Sequence, residues 1–176
     1  ERTRYLLDVL QRQTGTLGRL VNDLLDVSRI TRGLIELERT RVDLRSTIDR
    51  ALESVQSLMD ERHHEVAVTV PGRPVPVDGD LVRLEQILVN LLANAAKFTD
   101  AGGRIAIELR MQGALAELHV RDNGIGLEHD TIAHVFDLFS QARRGLDRSQ
   151  GGLGIGLTVV RSLVELHGGT IEASSA

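Results

Sequence analysis

The sequence predicts an α+β fold: a two-layer sandwich in which a mixed, mostly antiparallel sheet is covered by helices, preceded by a long coiled-coil or bundle helix. Apolar residues recur at helical spacing in three segments that begin near residues 44, 81 and 155. They alternate at strand spacing in two neighbouring segments, 104–111 and 116–122. With 176 residues, of which 41% are apolar, the chain can bury one core of ordinary size.

The first part of the chain predicts a helix with a heptad seam. Apolar Val21 and Leu25 widen the stripe beyond a two-stranded seam, which favours one helix of an intermolecular bundle. A single amphipathic helix lying on its own domain is the alternative. The seam consists of Leu6, Leu10, Gln13, Leu17, Leu20, Leu24 and Val27.

The next segment leads from this helix into the predicted sandwich. Arg32-Gly33 ends the helix, and Leu34 to Arg39 alternates as a short strand. Asp43 is the predicted N-cap of a second amphipathic helix, and a strand is expected at 65–70. All three prolines lie between Pro71 and Pro76, which predicts a rigid surface loop. A turn through Asp78-Gly79-Asp80 is expected to lead into the third helix.

A row of polar side chains interrupts the third helix, for which Asp80 is the predicted N-cap. Asn90 and Asn94 stand four residues apart, so both amides lie on one helix face, and Lys97 follows one turn later. Amide oxygens and an ammonium are groups that bind metal ions and phosphates. The row therefore predicts a ligand site on this helix.

The segment Asp122-Asn-Gly-Ile-Gly126 follows two strands that suit an antiparallel pair. Asn-Gly alone is a common hairpin turn, but a short helix around 128–134 is predicted next instead of a strand. A carboxylate at a strand end, beside glycines that admit a planar group, can accept a hydrogen bond from an exocyclic amine. A plain turn remains the alternative.

A second glycine-rich segment, 151–157, precedes the last helix, 155–167. It lacks the Gly-Lys-Ser/Thr ending of a P-loop and the strand that precedes a dinucleotide fingerprint. It therefore predicts backbone N–H groups and a helix N-terminus offered to phosphates, or only a helix-start loop. The polar residues 138–152 predict a mobile lid, and Thr170 to Ala173 is expected to begin a strand.

Composition excludes several classes of function. The formal net charge of −4 argues against binding to nucleic acid or to an anionic membrane. The sequence has no cysteine, which excludes disulfides and thiolate metal sites and suits a cytoplasmic domain. No apolar run is long enough to span a membrane, so no membrane contact is expected within this chain.

Taken together, these motifs resemble the Bergerat-type ATP-binding fold, and within it the catalytic ATP-binding domain of sensor histidine kinases. The resemblance covers almost the whole chain. It implies that residues 1–33 are the C-terminal helix of a dimerisation and histidine-phosphotransfer domain, and that 34–176 are the catalytic domain without its last strands. The matching segments are Asn90 to Phe98 (N box), Asp122 to Gly126 (first glycine box), Phe136 to Phe139 (F box) and Gly152 to Leu157 (second glycine box).

The resemblance implies ATP and Mg²⁺ as ligands and assigns roles on the third helix. Asn94 would ligate Mg²⁺ through its side-chain oxygen, and Asn90 would help to place the metal and the phosphates. Lys97 would meet a phosphate as a point charge, which completes the implied catalytic set. Asp122 would accept a hydrogen bond from the adenine amine, while Phe98 would stack on the adenine ring.

The implied nucleotide contacts extend into both glycine boxes and the lid. Gly124 and Gly126 would admit the adenine ring. The lid would supply a charge partner for phosphate, either Arg143 or Arg148, which spacing does not distinguish. The phosphates would be covered by Gly152, Gly154, Gly156 and Leu157.

Asn90 also bears on the expected reaction. Relatives that hydrolyse ATP place a glutamate base there, and asparagine cannot take a proton from water. The resemblance favours transfer of the γ-phosphoryl group of ATP to a histidine on an upstream helix that this chain does not contain. It further implies a homodimer through the N-terminal helix bundle and relay to the receiver domain of a response regulator. An ATP-hydrolysing conformational machine and a non-catalytic dimerisation scaffold are the alternatives.

Overall fold

The computed structural model describes residues 14, 18, 21, 24–29, 32–138, 140 and 154–175. Residues 24–29 are helical and are called the N-terminal helical segment below. The heptad residues that precede Val21 lie outside the described residues. The elements that follow are β1 (Thr40–Asp43), α1 (Leu44–Glu61), β2 (Glu65–Thr69), β3 (Pro76–Gly79), α2 (Leu81–Phe98), β4 (Arg104–Gln112), β5 (Leu115–Asp122), α3 (His129–Ile132) and α4 (Gly156–Leu166).

The strands form a mixed three-stranded sheet and a separate two-stranded one. In the larger sheet the order is β2-β4-β5, with β2 parallel and β5 antiparallel to the central strand. The predicted alternation along β4 is confirmed, because Ile105, Ile107 and Leu109 are buried while Ala106 and Arg110 are exposed. Their common face provides the floor of the core.

Helices α1 and α2 cover that face. Helix α1 contributes Ile48, Val55 and Met59 to the main core, and α2 contributes Leu88 and Leu92. All five are at most 4% exposed, and burial of each large aliphatic side chain stabilises the fold by roughly 1.5–3 kcal/mol. The two layers confirm the predicted α+β sandwich.

A second apolar cluster lies on the other flank of α2. Ile87 packs there with Val159, Val160 and Leu163 of α4, and Val27 of the N-terminal helical segment packs against the same cluster. Helix α2 is therefore held from two sides, by the sheet and α1 on one and by α4 on the other. Its remaining face carries the polar residues that the sequence singled out.

The N-terminal helical segment also contacts α2 through polar groups. Arg83 Nη1 donates to both oxygens of the buried Asp26 carboxylate, at 3.1 and 3.3 Å, and to Gln86 Oε1 at 2.8 Å. Gln86 Nε2 donates to the same carboxylate at 2.6 Å. Each charged group in the cluster is thus paired, as buried charges must be.

Both predicted helix caps are confirmed. Asp43 accepts a hydrogen bond from Arg45 N–H at α1, and Asp80 accepts from the first N–H groups of α2. The Asp80 N–H donates to His167 Nε2 at 3.0 Å, and His167 Nδ1 lies 2.7 Å from the Leu163 carbonyl oxygen. His167 is therefore the Nδ1–H tautomer, and it ties the start of α2 to the end of α4.

The strand predicted at Leu34 to Arg39 was wrong. Residues 34–39 form no strand, and β1 begins at Thr40 instead. The turn predicted at Asp78-Gly79-Asp80 was wrong at its first two residues, because Asp78 and Gly79 belong to β3 and pair with Arg41 and Thr40 of β1. Alternation of apolar and polar residues alone does not make a strand, because a strand also requires backbone hydrogen bonds to a neighbouring strand in register.

The strand expected at Thr170 to Ala173 was wrong as well. Residues 169–175 have no regular secondary structure, and no described strand pairs with them. They reach the loop after β5 instead, where Leu127 N–H donates to Ser175 Oγ at 2.9 Å. None of the helices in the described ranges is both long and apolar enough to cross a membrane.

Candidate functional site

Helix α2 presents the polar row that the sequence predicted. Its N-terminus is capped by Asp80, and its apolar flanks are buried on both sides. Asn90, Asn94 and Lys97 are each partly buried, while Phe98 at the end of the helix is 42% exposed. Packing on the flanks thus fixes the helix rotation that brings this row to the surface.

Asn90 lies against the first turn of α4. A Cβ atom at Gly156 would stand 3.9 Å from the Asn90 side-chain carbon Cγ and from Oδ1. The amide nitrogen Nδ2 of Asn90 is buried, and no partner for it exists among the described residues. A buried donor without a partner costs about 1–3 kcal/mol, so the site favours a ligand that supplies an acceptor oxygen.

The first turn of α4 supplies the chemistry for such a ligand. The free N–H groups and the dipole of a helix N-terminus favour an anion such as phosphate. Gly154 adopts a φ of +69°, and Gly156 begins the helix without a side chain that would cover Asn90. Partly buried Leu157 follows in the same turn. Of the predicted phosphate contacts, Gly152, Arg143 and Arg148 lie outside the described residues.

The first glycine box rests on the C-terminal end of α2. The Ile125 N–H donates to the Phe98 carbonyl oxygen at 3.1 Å, and Gly124 N–H donates to Asp122 Oδ1 at 3.0 Å. A Cβ atom at Gly124 would overlap the Phe98 carbonyl oxygen and lie 2.8 Å from its carbonyl carbon. Glycine is therefore required at 124 by the close approach of two backbones.

Gly126 is constrained by a different neighbour. Its φ is +65°, a left-handed conformation that favours glycine, and a Cβ atom there would lie 2.8 Å from Ser175 Oγ. Sequence reasoning missed the role of Ser175, because nothing in the residue order links it to the loop 48 positions earlier. The serine hydroxyl holds the end of the first glycine box.

Lys97 and Phe98 form a pair at the end of the row. The Lys97 Nζ lies 4.6 Å from the centroid of the Phe98 ring, within range of a cation–π interaction worth about 0.5–1 kcal/mol at an exposed site. Partial burial lowers the pKa of the Lys97 ammonium from its ordinary value of 10.5. A cation that has lost part of its hydration thus stands beside an exposed aromatic face.

A bound phosphate should raise the pKa of Lys97, because an adjacent anion stabilises the ammonium. ATP affinity is then expected to fall as pH rises through the lowered pKa of the free protein, with proton uptake on binding in that range. Lys97 is the only lysine in the sequence, so selectively labelled lysine gives one side-chain NMR signal to titrate with and without ATP. A pKa that does not change on ATP addition would contradict a phosphate contact. Lys97→Arg, which stays charged, should remove this pH dependence.

A metal ion at this site would depend on few protein ligands. No group of three His, Asp or Glu side chains suited to hold an ion occurs within the described ranges. The partly buried Asn94 offers one amide oxygen, and Mg²⁺ commonly completes its shell with phosphate oxygens and water. The donor set therefore fits Mg²⁺ that arrives with a nucleotide.

Comparison with known proteins identifies the family. Residues 79–176, which include α2, both glycine boxes and α4, match the family described as histidine kinase-, DNA gyrase B-, and HSP90-like ATPase. The chain belongs to this ATPase family. Members of this ATPase family bind ATP, which implies that the chain uses a nucleotide.

Curated relatives within this ATPase family are histidine kinases. The chain is 33% identical to the signal transduction histidine-protein kinase BarA of Escherichia coli (strain K12) over 174 residues, which cover 96% of this chain and 19% of BarA. It is also 33% identical to the circadian input-output histidine kinase CikA of Synechococcus elongatus over 177 residues, which cover 99% of this chain and 24% of CikA. The chain thus spans about a fifth of these relatives.

Solved structures of histidine kinases share the fold. The Acinetobacter baumannii histidine kinase AdeS superposes with a TM-score of 0.78 at 25% identity, covering 97% of this chain and 77% of that one. The mycobacterial sensor histidine kinase MprB gives a TM-score of 0.62 at 36% identity, covering 74% of this chain and 80% of that one. The resemblance to the catalytic ATP-binding domain of sensor histidine kinases is confirmed.

The structure brings some of the predicted site residues together. Asn90 meets Gly156, Lys97 meets Phe98, and the Phe98 backbone meets Gly124. The individual roles in binding and catalysis stay predictions, as does the domain boundary at residue 33. The sequence did not single out Thr158 as a candidate site residue. Its hydroxyl lies in the first turns of α4 and is buried without a partner in the described part of the chain.

Proposed function

We propose that this domain binds ATP with Mg²⁺ and transfers the γ-phosphoryl group to a histidine on an upstream helix of a longer protein. The observation that supports this most is the buried Asn90 amide nitrogen, which has no partner among the described residues and belongs to a side chain that lies beside the N-terminal turn of α4. Phosphate oxygens would satisfy that donor and lie at the positive end of the α4 dipole. Family membership supports ATP as the source of those phosphates.

In this proposal each residue of the α2 row has one task. Asn94 offers its amide oxygen to Mg²⁺, which when bound neutralises charge on the β- and γ-phosphates. Asn90 donates to a phosphate oxygen, and Lys97 places a positive charge beside the phosphates. The exposed Phe98 ring offers a stacking surface to adenine, and the Asp122 carboxylate accepts from its amino group.

The residue at position 90 supports transfer to histidine over hydrolysis. In the transfer, the bond between the γ-phosphorus and the bridging oxygen breaks as a bond to the imidazole nitrogen forms, and ADP leaves. A neutral imidazole carries its own lone pair, so it needs no carboxylate base to remove a proton first. Asn90 cannot serve as a base for water, and the protein's contribution is therefore positioning and charge stabilisation.

We propose two partners for the longer protein. The first is a second copy of the chain, because Val21, Leu24 and Leu25 of the N-terminal helix are about half exposed and form an apolar surface that another helix can cover. The second is a response-regulator receiver domain. Histidine kinase ThkA, which has a similar fold, has been solved in complex with the response regulator protein TrrA.

Calorimetric titration with ATP and ADP, each with and without Mg²⁺, tests the nucleotide part of the proposal. Saturable ATP binding that is tighter with Mg²⁺ is expected, without steady release of phosphate. Asn94→Ala should weaken Mg²⁺-dependent ATP binding by about tenfold or more while leaving Mg²⁺-free binding nearly unchanged, because only the metal ligand is lost. Steady phosphate release would instead favour the ATP-hydrolysing machine, and absence of binding would favour the scaffold.

The transfer step requires the chain extended upstream to include its preceding helix. With ATP labelled at the γ-phosphorus, that longer protein should acquire an acid-labile, base-stable label, as expected of phosphohistidine. The 176-residue chain should acquire none, since its six histidines lack the acceptor motif. A stable phosphohistidine on the shorter chain would overturn this assignment of the acceptor.

A further inference from the structure

Arg62 connects the end of α1 to the end of α2. It is the C-cap residue of α1, and its carbonyl oxygen accepts from Gly102 N–H at 2.9 Å. The next residue, His63, adopts a left-handed φ of 54°, which turns the chain towards β2. The backbone of Arg62 is thereby fixed, and its side chain extends across to α2.

The Arg62 guanidinium binds the carbonyl groups that end α2. Its Nη1 atom donates to the Lys97 oxygen at 3.0 Å, to the Thr99 oxygen at 3.2 Å and, more weakly, to the Ala96 oxygen at 3.5 Å. The last carbonyl groups of a helix lack intrahelical partners and carry its negative partial charge. A partly buried arginine is a strong partner for them, because its charge and its donors both contribute.

The residues held in this way are those of the candidate nucleotide site. Lys97 and Phe98 lie within the segment that Arg62 binds, and the Phe98 carbonyl oxygen in turn accepts from Ile125 N–H. We propose that Arg62 is a positioning residue for the nucleotide: it fixes the end of α2, and through it the first glycine box. This inference rests on the proposed function for its effect on nucleotide affinity.

The remaining anchors of α2 lie elsewhere along the helix. Asp80 holds its start, and its middle is packed on both flanks in the two apolar clusters. At its end, His64 Nε2 lies 3.3 Å from the Thr99 oxygen, so that oxygen has a second possible partner, whereas Arg62 is the side-chain donor to the Lys97 oxygen within the described part of the chain. Removal of the guanidinium should therefore loosen the end of α2 and leave the rest of the helix in place.

Arg62→Ala tests the inference in the 176-residue chain, with Arg62→Lys as the conservative variant. Arg50→Ala is the matched control, since it removes an exposed arginine from the same helix. Arg62→Ala should weaken both ATP and ADP by about tenfold, because the lost charged hydrogen bonds position the adenine end that the two nucleotides share. The nucleotide affinity of Arg62→Lys should lie between those of Arg62→Ala and the wild type. The affinity of Arg50→Ala should equal that of the wild type.

Hydrogen exchange measured without nucleotide separates positioning from general stability. In Arg62→Ala the Ile125 amide should exchange faster, while the Leu92 amide in the middle of α2 keeps its protection. Equal loss of protection at both amides, or unchanged Ile125 exchange in both Arg62 variants, would overturn the inference. Hydrogen exchange needs no ligand, so it tests the role of Arg62 at the end of α2 even if the wild-type chain does not bind ATP. Failure of the wild-type chain to bind ATP would refute the proposed function.

Discussion

Gly124→Ala is expected to lower ATP affinity by about 100-fold, a loss of about 2.8 kcal/mol, because the groups proposed to bind adenine are displaced from one another. The added methyl group would overlap the Phe98 carbonyl oxygen. Backbone on both sides of the contact must then separate, which breaks the Ile125 hydrogen bond to Phe98 and moves Asp122 away from the end of α2. In the proposed binding mode, adenine would then lose both the stacking surface of Phe98 and the acceptor Asp122.

Calorimetry with ATP measures this loss, and Gly72→Ala provides the control. Gly72 lies in the exposed proline-containing loop, and a Cβ atom there would meet nothing within 4 Å. Gly72→Ala should bind ATP like the unmodified chain. Wild-type affinity in Gly124→Ala would mean that the loop moves independently of α2, contrary to the packing described above.

Asn90→Leu is expected to change stability and binding in opposite directions. Leucine has the same number and branching of side-chain heavy atoms as asparagine, and it removes a buried amide nitrogen that has no partner in the described residues. Loss of that unsatisfied donor should raise the free energy of unfolding by about 1–3 kcal/mol in the absence of nucleotide. ATP affinity should fall by about 100-fold, because a phosphate oxygen loses its donor and meets an apolar group.

Thermal unfolding with and without ATP measures both effects on one sample. Without ATP, the variant should unfold at a higher temperature than the unmodified chain. Addition of ATP should raise the unfolding temperature of the variant only slightly. Asn123→Leu is a useful contrast, because Asn123 Oδ1 accepts from Arg104 N–H at 2.7 Å and its amide is thus already engaged. That substitution should destabilise the chain. A destabilised Asn90→Leu would show that the Asn90 amide is satisfied in solution without a ligand.

Local chemistry explains what the sequence predicted well. As helix caps, Asp43 and Asp80 accept from N–H groups no more than three residues away. The buried residues of α1 and α2 recur at helical spacing because each helix buries one face. Antiparallel β4 and β5 are neighbours in the chain, so their pairing also follows from a short turn. By contrast, β1 pairs with β3 across 32 or more residues, and residue order holds little information about such a register.

The same distinction applies to the site. The polar row on α2 was predictable because Asn90, Asn94 and Lys97 share one helix. The contact of Asn90 with Gly156 and the clash that excludes a side chain at Gly124 depend on how separate elements pack. Family resemblance supplied the expectation that these segments meet, while the structure supplied the physical reasons for glycine at 124 and 126.

The hydrogen bond from the Asp80 N–H to His167 Nε2 holds the C-terminal end of α4. Asn90 meets α4 at Gly156 and Asp80 meets it at His167, so α4 runs antiparallel to α2 with its C-terminal end pinned. The pinned end and Gly156 are separated by roughly 16 Å along the helix axis, at about 1.5 Å per residue. A tilt of about 5° around the pin would move Gly156 by about 1.4 Å. That distance is about half the donor–acceptor distance of a hydrogen bond, so a shift of this size would change the contact between Gly156 and Asn90.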